Sequence, residues 1–237
     1  MVKICVLQTD NRPSLEYLLL TQKVNKKMCN YLGYDYLFIE MNDNEYESLH
    51  PATRKIYIVN DFLYNYDYDI LVFLDSDAWI QDARWLNDII NNLIKNGDKL
   101  GCFSRDPYIK KNTFINSGSF IIKINKFTKL IYKNVIDSLN SNYQHHTQWP
   151  FDQYYISNNI FPNKDLFYIF VPDVLNTPIG KVLRHNWLKN EKMYNDLNKL
   201  LEADEKTIIN ELSFEIEKFY DKKPYPNTIV RGYEYYS

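Results

Sequence analysis

The chain has 237 residues, enough for one α/β domain with a full core, and its 45% hydrophobic content excludes collagenous, coiled-coil and disordered classes. With 28 Lys and Arg against 30 Asp and Glu, the net charge of -2 lacks the basic excess that would neutralise a nucleic-acid backbone or an anionic membrane. Cys5, Cys29 and Cys102 are odd in number and far apart, so they read as free thiols in a reducing compartment and not as a disulfide framework.

The chain opens on a short apolar run, Lys3 to Leu7, that reads as a buried strand. It is too short for a signal peptide, and no later stretch approaches the ~20 apolar residues of a membrane span, so a soluble, cytoplasmic protein is expected. The polar Gln8-Thr9-Asp10-Asn11-Arg12 loop leads into Pro13-Ser14, a helix start. Leu15 to Leu32 carries apolar residues at helical spacing and stops at Gly33, after which Tyr36 to Ile39 reads as a second strand. Beyond His50-Pro51, Arg54 to Tyr64 reads as a helix feeding Ile70 to Leu74, a continuous apolar run of the kind a parallel sheet buries on both faces.

Further elements are expected at Trp85 to Ile94 (helix), Lys99 to Phe103 and Phe120 to Ile122 (strands), Phe127 to Leu139 (helix) and Phe167 to Val171 (strand). Strands alternating with helices imply an α/β fold with a central, mostly parallel sheet. A charged helical pattern from Leu200 to Phe219 and a Tyr-rich tail follow. The expected organisation is a catalytic domain over residues 1–187 and a helical extension over 188–237 packed on it. Tyr225, Tyr233, Tyr235 and Tyr236 in that tail fit a cover over an acceptor groove, a homodimer interface or plain exposure.

Two Asp-x-Asp patterns flank one predicted strand. In open α/β sheets ligands bind beyond the carboxyl ends of the strands, and Asp75-Ser76-Asp77 stands there, whereas Asp67-Tyr68-Asp69 precedes the strand and reads as a solvated turn. Two carboxylates on one turn can converge on a hard divalent cation that neutralises a diphosphate. The bland alternative is an ordinary acidic loop. A haloacid-dehalogenase-like phosphatase also places Asp-x-Asp after an apolar strand, but wants Thr or Val where this chain has Trp79.

Asn116-Ser117-Gly118-Ser119 reads as a small-residue turn before a strand, close enough in backbone to approach a ligand. Asp152 reads as an N-cap or first-turn acid with Gln153 beside it. His185 would complete an O,O,N set with the two carboxylates, a donor set that suits Mn²⁺. His145-His146 has no spaced partner and reads as solvated.

In chain order, Asn25-Lys26 through Leu32-Gly33-Tyr34, His50-Pro51 with Lys55, Leu74-Asp75-Ser76-Asp77-Ala78, Asn116-Ser117-Gly118-Ser119, Asp152-Gln153, Val171-Pro172 with Leu175-Asn176, and His185 give a pattern over about residues 3–187. This pattern resembles the GT-A fold retaining glycosyltransferases, specifically the galactosyl/xylosyl/mannosyltransferase family of fungal Golgi and plant xyloglucan enzymes. The resemblance implies a metal-dependent enzyme moving a hexose or pentose from a nucleotide-sugar, a UDP-sugar, to a hydroxyl acceptor with retention.

The resemblance further implies that Asp75, Asp77 and His185 ligate Mn²⁺ or Mg²⁺. Gln8, Thr9, Asp10 and Lys55 would contact the nucleotide, and Ser76 its ribose. Asn116, Gly118, Asp152 and Gln153 would face the donor sugar, with Gln153 near the anomeric centre and Asp152 either a sugar ligand or a nucleophile. Asn186-Trp187 stands where the family usually has a glycine. A non-catalytic sugar-binding or partner-binding protein on the same fold is the remaining alternative.

Overall fold

A computed structural model describes residues 2–42, 48–107, 115–204 and 214–220. β1 (Ile4–Asp10), β2 (Asp35–Glu40) and β3 (Ile70–Leu74) are joined by α1 (Glu16–Leu32) and α2 (Pro51–Asn65). Gly33 ends α1 in the left-handed region at φ 70°, and the Gly33 and Tyr34 N–H groups donate to the Asn30 and Cys29 carbonyls, a Schellman close. α2 begins three residues before the predicted Arg54. Pro51 needs no N–H partner in the first turn, and the His50 ring caps the helix by accepting from Ala52 N.

After β3 come β4 (Ala78–Ile80), α3 (Ala83–Lys95), β5 (Gly101–Arg105), β6 (Ile115–Lys123), α4 (Lys126–Ser141), α5 (Asp152–Ile160), β7 (Phe167–Phe170), α6 (Pro172–Leu175), β8 (Leu183–His185) and α7 (Glu191–Glu202). Six strands form one sheet in the order β2-β1-β3-β6-β5-β7. β1 pairs in parallel with β2 and β3, and β5 with β7, while β6 runs antiparallel to both its neighbours.

The two-residue period of a strand distributes the β3 run between two cores. Ile70, Val72 and Leu74 face one core with α1, α3 and α7, and Leu71 and Phe73 face the other with α2, α4 and α5. In the second core, Phe73 on β3 stacks on its cross-strand partner Phe120 on β6, with ring centroids 4.9 Å apart. Burying side chains of this size contributes roughly 1.5–3 kcal/mol each, which holds the sheet between its helical layers.

β1 stands between β2 and β3, so the chain passes from β1 to β2 on one side and then crosses back over β1 to β3 on the other, which opens a crevice beyond the carboxyl ends of β1 and β3. The turn at Asp75 to Asp77 lies on that crevice. A separate antiparallel ribbon pairs Ala78 on β4 with His185 on β8 and brings the histidine back over 100 residues to the same place.

Several local expectations are corrected. Asn116-Ser117-Gly118-Ser119 is not a turn but the buried first half of β6, because β6 extends back to Ile115 to pair with Arg105 and Ser104. His145 is buried, not solvated, and its ring packs on Tyr154. His146 Nε2 is 2.8 Å from the Leu139 carbonyl. The described helix after residue 187 is α7, starting at Glu191 under an Asn190 cap, and the segment predicted as helix to Phe219 closes in a single 3-10 turn, Ile216–Phe219. Residues 205–213, and Tyr225, Tyr233, Tyr235 and Tyr236, lie outside the described residues. No helix among the described residues is long and apolar enough to cross a membrane.

Candidate functional site

The turn after β3 is fixed from both sides before any ligand is considered. Asp75 N donates to the Gly118 carbonyl on β6 at 2.7 Å. On the other side Gln8 Nε2 donates to the Asp75 and Ala78 carbonyls, and Gln8 Oε1 accepts from Asn25 Nδ2 and Tyr36 Oη. Thr21 Oγ1 donates to the Ser76 carbonyl. Gln8 is therefore fully buried behind the turn, spent on its backbone, and does not line the crevice where a nucleotide would lie.

The crevice is an open cleft of about 270 Å³. Thr9, Asp10 and Arg12 form one wall, His50 and Lys55 the floor of α2, and Asp75, Ser76, Asp77, His185 and Lys189 the other side. Each of Asp75, Asp77 and His185 offers one ligand atom, and those atoms all lie within 4.8 Å of one another. His185 Nε2 is 3.1 Å from Asp77 Oδ1 and 3.8 Å from Asp75 Oδ2. Two hard oxygens and one imidazole nitrogen, converging at a cleft wall, fit a divalent cation of the Mn²⁺ or Mg²⁺ kind.

The surrounding charges bias these groups unequally. Burial pushes the Asp75 carboxyl up to about 6, with the Lys55 ammonium beside it opposing. Burial acts the same way on Asp77, but His185 and Lys189 outweigh it and hold that carboxyl well below the usual range. Burial alone would lower the His185 imidazole, and Asp77 reverses this so that it is raised. Asp77 is thus the firmly ionised member of the set.

Lys55 is almost fully buried, and its Nζ lies 2.8 and 3.0 Å from the two Asp75 oxygens and 3.0 Å from Asp152 Oδ2. Burial opposes its charge, but the two carboxylates win and raise the ammonium above its ordinary value. Lys55 therefore cross-links Asp75 to Asp152 at the start of α5, and the pair Asp75 and Asp152 shares one counter-charge. Gln153 follows on α5 with a buried Oε1 that has no hydrogen-bond partner among the described residues.

Asn116 and Gly118 sit behind His185. The Asn116 side chain reaches His185 Nδ1 at 3.2 Å, and Gly118 lets the imidazole approach β6 closely, since a Cβ there would be 2.1 Å from His185 Cε1 and Nδ1. Both are buried beneath the ring instead of forming a loop at the cleft mouth. Thr9 donates to the Ile39 carbonyl, and Asp10 is gripped by Arg12 through Nε at 3.0 Å and Nη2 at 3.1 Å.

Lys189, Arg12 and His50 are among the cleft residues that sequence did not single out as site residues. Lys189 Nζ is 3.3 Å from Asp77 Oδ2 and rests over the Tyr17 ring, on a backbone with φ 48°. Arg12 is held by Asp10 at the cleft rim. His50, capping α2 through Nδ1, keeps its ring stacked on Phe151 at 4.1 Å. For His50 the signal was the dipeptide before Pro51; for Lys189 and Arg12 nothing in local sequence separates them from other surface cations.

Asp67-Tyr68-Asp69, at the other end of β3, is occupied by Lys3: its backbone N–H donates to Asp69 and its ammonium pairs with Asp67, far from the cleft.

No protein-family model matches the chain, and no curated protein matches it in sequence. Solved structures do match. A glycosyltransferase involved in the glycosylation of the major capsid of PBCV-1 aligns at TM-score 0.61 and 16% identity over 84% of this chain and 98% of its own. The galactosyltransferase LgtC, in complex with donor and acceptor sugar analogues, aligns at 0.53 and 16% over 86% and 98%. The glycosyltransferase GlyE of Streptococcus pneumoniae TIGR4 aligns at 0.54 and 13% over 94% of this chain and 66% of its own. At these identities the likeness carries the fold and not the narrower kinship with fungal Golgi and plant enzymes. The chain has the α/β architecture of the GT-A glycosyltransferases, with a central mixed sheet between helical layers.

Proposed function

We propose that this chain is a metal-dependent glycosyltransferase that moves a hexose or pentose from a nucleotide-sugar, a UDP-sugar, to a hydroxyl acceptor with retention. The observation that carries the reading is the convergence of Asp75, Asp77 and His185 at the carboxyl end of β3, inside a cleft on a glycosyltransferase fold. These three would hold Mn²⁺ or Mg²⁺, which when bound supplies charge neutralisation for a departing diphosphate.

The remaining roles belong to the protein's own side chains. Thr9 and Asp10 on one wall and Ser76 on the other flank the space into which base and ribose would extend. Arg12 and Lys189 add positive charge at the rim, where preorganised cations favour a phosphate without rearrangement. Lys55 keeps Asp75 and Asp152 together, which sets where α5 presents Asp152 and Gln153 to the donor sugar. Gln153 Oε1 is buried, without a hydrogen-bond partner among the described residues and off the cleft lining, so it would accept from a sugar hydroxyl only after a shift of α5. Asp152, already paired with Lys55, is read as a binding group.

Thermal unfolding with UDP or GDP, each with and without Mn²⁺, tests the reading, because a ligand of the folded state raises the melting temperature by mass action. A shift that requires both nucleotide and metal, and is lost in Asp77→Asn, supports it. No metal-dependent shift with either nucleotide would falsify it. Turnover of a generic phosphate ester with Mg²⁺, lost in Asp75→Asn, would point to the phosphatase chemistry instead.

A further inference from the structure

β4 begins one residue after Asp77, and its Ala78 stands opposite His185 on β8, so this short strand joins two members of the Asp75, Asp77 and His185 set. Asn186 N donates to the Asp77 carbonyl and Gln81 N to the Val182 carbonyl. By the two-residue alternation of a strand, residues 77, 79 and 81 thus turn their backbone groups toward β8, and the Ala78 carbonyl and Ile80 N–H point to the opposite edge. The ribbon has two strands, and no other strand among the described residues covers that edge. The Asn25 side chain does: its Nδ2 donates to the Ala78 carbonyl at 3.2 Å and its Oδ1 accepts from Ile80 N at 2.9 Å.

A backbone N–H only donates and a backbone carbonyl only accepts, so these two partners fix which end of the Asn25 amide is oxygen. Its second Nδ2 hydrogen goes to Gln8 Oε1 at 2.9 Å, and Gln8 Nε2 in turn donates to the Ala78 and Asp75 carbonyls. One turn earlier on the same face of α1, Thr21 Oγ1 donates to the Ser76 carbonyl at 2.9 Å. Gln8, Thr21 and Asn25 are all fully buried, beside the apolar Leu18, Val24 and Met28 of α1. We propose that Asn25 is a positioning residue for the cation site: its amide takes the place of a strand on the second edge of β4 and so fixes Asp77 and His185 relative to each other. The inference rests on the reading of Asp75, Asp77 and His185 as a metal set. Outer partners of metal ligands commonly change metal affinity by about 10–100-fold.

Asn25→Leu keeps the bulk of the side chain and removes all three hydrogen bonds, and Asn25→Ala leaves room for water to reach the freed edge groups. Two readouts apply to each variant. The first is amide hydrogen exchange in metal-free protein at Ile80, compared with Gln81, whose N–H stays on the Val182 carbonyl. The second is Mn²⁺ affinity by calorimetry without nucleotide, on chains shown to be folded. In the native chain both amides should be protected alike. Either substitution should speed exchange at Ile80 at least tenfold relative to Gln81 and weaken Mn²⁺ at least tenfold. Phe120→Ala, which destabilises the core without touching β4, should lower the unfolding midpoint and leave Mn²⁺ affinity native, a contrast that separates positioning from stability.

If Asn25→Leu fails to fold, Asn25→Ala decides the matter. Native Mn²⁺ affinity in a folded Asn25 variant overturns the positioning role, and so does failure of both variants to fold, which would assign Asn25 to the fold alone. Loss of Mn²⁺ affinity as large in Phe120→Ala as in the Asn25 variants overturns it as well. A native chain with no Mn²⁺ affinity overturns the metal reading on which the inference rests, and is distinguishable because the exchange contrast between Ile80 and Gln81 remains measurable.

Discussion

Replacing Gly118 by Ala isolates the steric half of how His185 is held. Among the described glycines only Gly33 has a positive φ, so Gly118 sits in ordinary extended backbone and the substitution adds no backbone strain. The added Cβ would lie 2.1 Å from two ring atoms of His185, whereas carbon atoms in contact stand about 3.5 Å apart, so the ring must retreat by roughly 1.4 Å. Metal sites tolerate ligand displacements of only about 0.2 Å, so the retreat takes Nε2 out of reach of an ion shared with Asp75 and Asp77. Losing that ligand should cost at least the roughly 10–100-fold attributed to outer partners, or about 1.4–2.8 kcal/mol of binding free energy. Calorimetric titration with Mn²⁺ measures it, with Gly97→Ala as control, since a Cβ there meets nothing within 4 Å. Native Mn²⁺ affinity in a folded Gly118→Ala chain would refute the reasoning.

Other perturbations give separable outcomes. Removing the Lys55 ammonium by Lys55→Met leaves the buried Asp152 and the cleft-facing Asp75 without their shared counter-charge, and urea unfolding should show a loss of up to about 3–5 kcal/mol, the upper end being that of a fully buried pair; a native midpoint would mean the two carboxylates do not need it. Protons compete with a cation for Asp75, held up to about 6 by burial, and for the raised His185 imidazole, so Mn²⁺ affinity should rise with pH through the neighbourhood of 6, keep rising above 6.5 where the imidazole gives up its proton, and then level off. The depressed Asp77 adds nothing in that window, and an affinity independent of pH would contradict the ligand set. Phe120→Ala removes a ring packed on Phe73 and Phe103 and should destabilise the fold by about 3–5 kcal/mol without abolishing Mn²⁺ binding at temperatures where the chain stays folded.

Elements whose residues act locally were legible in the sequence. The five apolar residues of β3 announced a strand buried on both faces, and Gly33 announced the end of α1. The choice of Asp75-Ser76-Asp77 over Asp67-Tyr68-Asp69 followed from which end of a strand faces ligands, and Lys3 now accounts for the rejected pair. What local pattern could not show was pairing. The Asn116 to Ser119 stretch is rich in small polar residues and reads as a turn, but antiparallel partners on both sides, β3 and β5, draw it into a strand. The three-residue strands β4 and β8 are too short to carry a periodic signal, and only their pairing explains why His185 meets residues 108 and 110 positions earlier. The resemblance implies nucleotide contacts for both Gln8 and Lys55; burial turns Gln8 onto backbone carbonyls behind the cleft, while Lys55 stays on the cleft floor with its ammonium between two carboxylates, a pairing no local pattern could show.

The central claim is that Asp75, Asp77 and His185 share one ion that receives a nucleoside diphosphate. A crystal grown with Mn²⁺ and UDP, measured at a wavelength where manganese scatters anomalously, tests it most directly. The account predicts a single anomalous peak in direct contact with one oxygen of Asp75, one oxygen of Asp77 and His185 Nε2, with the diphosphate on its open side between Arg12 and Lys189. A peak away from those three side chains, or UDP bound in the cleft with no peak at all, would contradict it.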